Sequence, residues 1–163
     1  MTTPIIHRLK GTTMNPGTKV WIITLLVLFI AGAAFAGDKI SPDFKGIENF
    51  RRAFPQATSV VSEVKQKFTV VSFTWNNIKL QAFYDRQGNH IGTTRTIAVN
   101  DLPLAYQVNI RNEYPDYVIT EAIEFDHPVD GLNYYVTVEG KQKSYVLQIS
   151  TEGAISVFKK MKN

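Results

Sequence analysis

The feature that most constrains the fold of this chain is that its second half repeats the pattern of its first half. An aromatic–proline pair ends a short helical pattern in each half, at Phe54-Pro55 and at Tyr114-Pro115. A near-copied pentamer follows each pair, at positions 60–64 and 118–122. Repetition of this kind indicates an architecture built from copies of one structural unit. The repeat therefore predicts two tandem units.

Each unit is predicted to be a helix followed by four strands. A hydroxyl cap, a proline and an acidic residue at Ser41-Pro42-Asp43 predict the start of the first helix, and Asn100-Asp101 opens the second in the same way. Alternating apolar and polar residues then predict the strands. Their expected ranges are 59–65, 69–75, 78–84, 90–99, 118–125, 134–139, 143–149 and 155–158.

The connections between strands determine the predicted topology. Asn76-Asn77 and Gly140-Lys141 suit two-residue hairpins, because Asn and Gly tolerate positive φ. Short connections join antiparallel neighbours. The expected fold class is therefore α+β, with two tandem helix-plus-four-stranded antiparallel meander units, at about 41–99 and 100–159. These units form one curved sheet of about eight strands with both helices on one face. A unit of about 60 residues is marginal alone, so we expect the halves to share one core.

The hairpins also predict which side chains face away from the helices. An Asn76-Asn77 turn places Trp75 and Ile78 opposite each other on the helix side, so their neighbours in sequence lie on the other side. We expect Phe83 and Tyr135 to be exposed there, as aromatic anchors among polar neighbours. The residues predicted to contact a partner are Lys79, Gln81, Phe83, Tyr135, Thr137 and Gln148.

The first 36 residues have the pattern of a cleaved secretory signal. Lys19 precedes an apolar run, and Ala34 and Ala36 occupy the two small positions of a cleavage site. Cleavage is expected between Ala36 and Gly37, which leaves one domain at 37–163. A start at Met14 would give a leader of the usual length, so we expect translation to begin there.

The charge and cysteine content limit the possible functions. The leader holds three basic residues and no acidic one, so subtracting them from the chain's net charge of +4 leaves +1 for positions 37–163. That balance gives no basic patch for nucleic acid. The chain has no cysteine, and therefore no disulfide framework. We expect a periplasmic or secreted protein, with no stable membrane span after cleavage.

The chain resembles the PepSY-like, β-lactamase-inhibitor-like family of small exported bacterial proteins, over about residues 42–159. The resemblance implies helices on one face of a curved antiparallel sheet. It also implies binding of a protein target on the concave sheet face, or restraint of a peptidase or extracytoplasmic sensing. The chain lacks the loop cysteines of the named inhibitors, and no functional residue carries over. The motifs that carry the resemblance are Leu102-Pro103, Tyr114-Pro115, Tyr84-Asp85-x-x-Gly88 and Gly153-Ala154-Ile155.

Motifs for catalysis are not found in the sequence. There is no cysteine nucleophile and no Gly-x-Ser-x-Gly elbow, and His90 beside its turn is expected to be solvated. Asp126, His127 and Asp130 are candidate metal ligands, but Pro and Gly in their loop favour an ordinary turn. The equivalent Glu63 and Glu121 could form an acid/base pair, although duplicated surface charge is the simpler interpretation.

These observations favour a non-catalytic binding or sensing module, with no cofactor and no metal. Its expected partner is a protein, either a peptidase or another envelope enzyme, contacted through the open sheet face. The alternatives are a periplasmic carrier of a small ligand and a hydrolytic enzyme. The basic tail at 159–162 could contact anionic membrane or cell-wall polymers, although a frayed, solvated terminus is the favoured interpretation.

Overall fold

The computed structural model describes residues 39–162, without the side chain of Lys162. The predicted signal segment 1–36, its cleavage between Ala36 and Gly37, and the start at Met14 lie outside the described residues. Neither helix of the described part is long and apolar enough to cross a membrane.

Eight strands form one antiparallel sheet in which each strand pairs with the next along the chain. The α+β class and the eight-stranded sheet are thus confirmed. The strands run over β1 (Thr58–Val64), β2 (Phe68–Trp75), β3 (Ile78–Asp85), β4 (His90–Ile97), β5 (Val118–His127), β6 (Gly131–Glu139), β7 (Lys143–Ile149) and β8 (Ile155–Lys162).

The first helix, α1 (Ile47–Ala53), begins six residues later than the predicted start at Ser41. Gly46 explains the delay: a Cβ there would meet the rings of Phe44 and Tyr84 at 2.6 and 2.9 Å. The Phe44 ring packs edge-on against Tyr84 with centroids 5.1 Å apart. Residues 41–46 therefore form turns that bury this ring before the helix starts.

The second helix, α2 (Leu104–Glu113), also begins later than predicted, after a short 3₁₀ turn at Val99–Asp101. Leu102 ends the 3₁₀ turn in an extended conformation, and Pro103 is the N-cap of α2. The buried side chain of Gln107 donates from Nε2 to the carbonyl of Leu102 at 2.8 Å. This hydrogen bond satisfies a carbonyl left without a partner at the break.

One hairpin is confirmed and the other is displaced. Asn76 and Asn77 both have positive φ (49° and 62°), as a two-residue hairpin loop requires, and they join paired strands β2 and β3. In the second unit, however, Glu139 pairs with Ser144, so the loop residues are Lys141 and Gln142 rather than Gly140 and Lys141. The pairing of β6 with β7 is shifted by two residues from the predicted register, so every side chain of these two strands stays on its predicted face.

Backbone details recur in equivalent places of the two halves. The residues that end the helices, Phe54 and Tyr114, have φ/ψ of −129°/65° and −129°/59°. The turns between β3 and β4 and between β7 and β8 each contain a left-handed glycine, Gly88 and Gly153, at φ 88° and 81°. A register shift interrupts the first and third strand pairs of each half. Superposition of the two whole units remains a prediction.

On the helix side of the sheet the prediction of one shared core is wrong, because the buried apolar residues there form two clusters. The first gathers around Phe50 and the second around Ile110. Strand pairing places both clusters on the same side of the sheet, since Ala82 pairs with Thr93 and Ala122 pairs with Ile97, four residues further along β4. Polar residues separate the clusters on that side: Thr93, Arg95, Glu124 and Asp126.

An ion pair occupies the middle of this polar strip. Arg95 donates from Nε and Nη2 to the two carboxylate oxygens of Glu124, at 2.7 and 3.0 Å. This contact raises the pKa of Arg95. The two halves are therefore joined by the β4–β5 backbone pairing and by polar contacts, rather than by common apolar packing on the helix side.

Candidate functional site

The side of the sheet opposite both helices is the candidate functional site, and we call it the helix-free face. Paired residues share a face, so the pairing defines its members. All six predicted contact residues belong to it. The members include Phe68, Val70, Ser72, Thr74, Lys79, Gln81, Phe83, Gly92, Thr94, Thr96, Glu121, Ile123, Phe125, His127, Asn133, Tyr135, Thr137, Glu139, Ser144, Val146 and Gln148.

The predicted exposure of Phe83 and Tyr135 is wrong. Phe83 is 0% exposed and Tyr135 is 2% exposed. Thr137 and Gln148 are also buried, whereas Lys79 is exposed and Gln81 is partly exposed. Alternation along a strand predicts the face of a side chain, but its burial depends on neighbours from other strands that the sequence pattern does not reveal.

Aromatic rings line the middle of the helix-free face across both halves. Phe68 and Phe83 have ring centroids 6.3 Å apart, and Tyr135 lies 6.2 Å from Phe125 and 4.9 Å from Phe158 of β8. Gly92, the partner of Phe83 in β4, leaves space for the ring of Phe125 in the neighbouring strand β5. A Cβ on Gly92 would meet the Phe125 ring at 2.5 Å. The row therefore depends on a glycine at this position.

Three buried polar atoms on this face lack a hydrogen-bond partner: Gln81 Oε1, Thr94 Oγ1 and the hydroxyl of Tyr135. They are the only such side-chain atoms in the described part of the chain. Gln81 and Thr94 are direct cross-strand partners. Burial, with a smaller effect from the charge of Asp130, raises the pKa of Tyr135 far above its ordinary value, so its hydroxyl keeps its proton. The face thus presents unused hydrogen-bonding groups.

One end of the helix-free face is open to solvent and polar. Lys79, Thr96, Glu121 and Glu139 are exposed there, near the hairpins that end β2 and β6. Gln81 lies between this end and the aromatic row, and its Nε2 donates to the hydroxyl of Ser72 at 3.2 Å.

The three candidate metal ligands do not converge, although His127 Nδ1 lies 3.3 Å from the carboxylate of Asp130. Asp126 pairs with Thr93 and lies on the helix side, whereas His127 lies on the helix-free face. His127 Nδ1 accepts hydrogen bonds from the backbone N–H groups of Val129 and Asp130, at 3.2 and 2.9 Å. These bonds organise the turn, as the Pro and Gly of the loop suggested. The described residues contain no group of three side chains able to hold a metal ion.

The repeat-equivalent glutamates do not form an acid/base pair. Glu63 lies on β1 and forms an ion pair with Lys65, whereas Glu121 lies on β5 and accepts from the Thr137 hydroxyl at 3.4 Å. Four strand spacings of about 4.8 Å separate β1 from β5. Each carboxylate therefore belongs to its own local surface contact.

A cavity of about 360 Å³ lies at the opposite end of the first unit, near the β1–β2 and β3–β4 turns. It contains none of the predicted contact residues. The carboxylate of Asp85, which lines the cavity, accepts hydrogen bonds within its own turn. Burial alone would raise the pKa of this carboxyl, but hydrogen bonds from Asn89, Gln87 and Gly88 outweigh burial and lower it. Its Arg86 donates to the carbonyl of Gln66. The hydrogen bonds of Asp85 and Arg86 therefore stabilise the two turns that border the cavity.

Sequence reasoning missed three residues that shape the helix-free face: Gly92, Thr94 and Phe125. The alternation within β4 and β5 assigns a face only after their pairing is known, and these strands are joined by a helix rather than by a hairpin. The one available signal was Gly92 itself, because a glycine inside a strand indicates the close approach of another group.

Solved structures share this fold. A BLIP-like protein from Bacteroides fragilis matches with a TM-score of 0.66 and 21% identity, over 76% of this chain and 89% of its own. DUF2874 family proteins from Bacteroides uniformis and Bacteroides ovatus match with TM-scores of 0.63 and 0.64 and identities of 15% and 16%, over the same shares. At such identities the likeness concerns the fold, and it supports the BLIP-like part of the resemblance. No protein-family model and no curated protein matches the chain.

Proposed function

We propose that this protein is an exported, non-catalytic binding protein that uses its helix-free face to contact a protein partner. The unpartnered polar atoms of Gln81, Thr94 and Tyr135 carry the proposal. A buried polar atom without a hydrogen bond costs about 1–3 kcal/mol. Such a cost concentrated on one face is accounted for if a partner supplies the missing hydrogen bonds.

The six predicted contact residues take two roles in this proposal. Lys79 and Gln81 are accessible and meet the partner directly. The other four, Phe83, Tyr135, Thr137 and Gln148, are buried and form a rigid floor of the contact, in which the hydroxyl of Tyr135 is the group that would hydrogen-bond to the partner. A rigid floor lowers the entropy cost of binding, because its side chains are already ordered in the free protein.

The chemistry of the site favours binding over catalysis. The repeat-equivalent glutamates do not meet, and the described residues contain no group of three side chains able to hold a metal ion. A BLIP-like fold together with the expected secretory leader supports a place in the periplasm or outside the cell. The proposed partner is accordingly an envelope or secreted enzyme that this protein inhibits or restrains. We also propose that the chain is related to PepSY proteins.

Removal of an unpartnered hydroxyl tests the proposal, because stability and binding should change in opposite directions. Tyr135→Phe deletes only the buried oxygen, so we expect the free energy of unfolding to rise by about 1–3 kcal/mol. Capture of the partner from an envelope extract should weaken. Thr94→Val should act in the same way. Urea unfolding and quantitative affinity capture provide the two measurements.

Tyr134→Phe is the matched control, since Tyr134 is the next residue in β6 and lies on the helix side. It should leave partner capture unchanged. Lys79→Glu should reduce capture without altering stability, because its side chain is exposed. If Tyr135→Phe and Tyr134→Phe capture the same enzyme equally well, and Lys79→Glu does so too, the helix-free face is not the contact surface.

A further inference from the structure

The two edges of the sheet are not equivalent. β1 is partly covered, because Lys39 donates its backbone N–H to Val60 and accepts from the N–H of Ser62, at 2.7 and 2.9 Å. The backbone N–H of Ser41 also donates to the Ser62 hydroxyl at 2.7 Å. β8 pairs with β7 on one side, and no described residue pairs with it on the other.

An edge strand of this length carries a row of outward backbone donors and acceptors. β8 runs for eight residues, from Ile155 to Lys162, and every second residue directs its N–H and C=O away from the neighbouring strand. Ser156, Val157 and Lys160 are exposed, Val157 at 42%. The edge is therefore accessible to an added strand.

The charge of this edge is of one sign. β8 contains three lysines and no acidic residue, and Lys143 of β7 lies directly opposite Lys162. Neither Lys159 nor Lys160 takes part in an ion pair within the described chain.

We infer that β8 binds an extended, acidic peptide segment by strand addition. The backbone edge supplies sequence-independent hydrogen bonds, and the lysines select for negative charge. A second copy of this chain is the poorer occupant, because full-length antiparallel pairing of β8 with itself would place Lys159 diagonally across from Lys160 of the other copy. The same lysines thus prevent self-association and attract an acidic strand. This inference is independent of the helix-free face.

A synthetic eight-residue peptide of alternating glutamate and valine is the probe. Fluorescence anisotropy should show saturable binding that weakens as salt rises, since exposed charges are screened. Hydrogen exchange of the amides in 155–162 should slow when the peptide binds, while that in β1 stays unchanged. The double variant K159E/K160E should raise the dissociation constant about tenfold or more.

Lys45→Glu is the matched control, because Lys45 is an exposed lysine of the first unit, outside β8. It should bind the peptide as the original protein does. A peptide with lysine in place of glutamate, or with alternate backbone nitrogens methylated, should not bind. The inference is overturned by absence of binding, by equal binding of the lysine peptide, or by exchange protection elsewhere. Concentration-dependent dimerisation that protects β8 without peptide would identify a second copy as the occupant instead.

Discussion

The two halves of the molecule share their backbone features and differ in what fills their cores. The first cluster is built from phenylalanines: the ring of Phe73 lies 4.9 Å from Phe50 and 4.6 Å from Phe54. The second is mainly aliphatic around Ile110 and is bordered by tyrosines. Turns and helix ends thus repeat closely, whereas core side chains have diverged. The backbone conformation is the more restricted property, because only a few residues fit each turn.

The tyrosines of the second half extend its core to the surface. Tyr117 lies 5.8 Å from Tyr114 and 5.4 Å from Tyr145, and all three are partly exposed. A hydrogen bond with Tyr145 raises the pKa of Tyr117. A tyrosine can bury its ring and keep its hydroxyl in water. Phe54, the counterpart of Tyr114, instead packs against Trp75 at 5.8 Å.

The largest expected effect compares the two cores through equivalent residues, Phe50 and Ile110. Each lies four residues before the C-cap of its helix, Phe54 or Tyr114, and the exposed fractions are 2% and 1%. Phe50→Ala should lower the free energy of unfolding by about 3–5 kcal/mol, and Ile110→Ala by about 2–5 kcal/mol. Urea unfolding measures both.

The shape of these unfolding curves tests whether two clusters mean two cooperative units. Since eight strands form one continuous sheet, we expect a single transition for each variant. Arg52→Ala, on the exposed side of α1, is the control and should change stability by less than about 0.5 kcal/mol. A second transition in Phe50→Ala alone would show that the first half unfolds by itself.

The next largest expected effect is a pH dependence of the free energy of unfolding, caused by Tyr84 in the first core. Burial raises the pKa of Tyr84 to about 12, from about 10 in the unfolded chain. Below pH 10 the folded and unfolded states both keep the proton, so the contribution of Tyr84 to the free energy of unfolding does not change with pH. As the pH rises from 10 to 12, the unfolded state loses the proton first, so the protein loses about 1.4 kcal/mol of stability per pH unit.

Tyr84→Phe isolates this contribution, because phenylalanine cannot ionise. The difference in unfolding free energy between variant and original should stay constant up to pH 10. It should then shift in favour of the variant by about 2–3 kcal/mol at pH 12. Parallel curves over the whole range would mean that Tyr84 ionises as freely in the folded protein as in the unfolded one.

The sequence predicted the strands and their faces well, because both follow from short-range patterns. Asn76-Asn77 set the first hairpin directly, and a displacement of two residues at Gly140 left the faces unchanged. The helix starts were predicted too early because the packing of Phe44 under Gly46 is a tertiary effect. The burial of Phe83 and the unpartnered hydroxyl of Thr94 are tertiary properties, although both residues belong to the neighbouring strands β3 and β4. Alternation along a strand does not predict how far its side chains are buried.

The smallest expected effect compares the two left-handed glycines. Substitution of Gly88 or Gly153 by alanine should lower the free energy of unfolding by about 1–2 kcal/mol through the left-handed conformation alone. At Gly88 the new Cβ would also meet backbone atoms of Gly46 at 2.9 Å, which cannot move aside. At Gly153 the nearest atom is a ring carbon of Tyr106 at 3.2 Å, and a side chain can shift. Gly88→Ala should therefore cost about 1–2 kcal/mol more than Gly153→Ala.

Asparagine separates the two causes, because it tolerates the left-handed conformation better than alanine does but still carries a Cβ. Gly153→Asn should recover most of the stability that Gly153→Ala loses, since conformation is the main cost there. Gly88→Asn should recover little, since the contact with the Gly46 backbone persists. Thermal unfolding of the four variants gives the comparison. Equal recovery at both positions would mean that the Gly88 turn can move away from Gly46, and the close packing of the first half at this turn would then not distinguish it from the second.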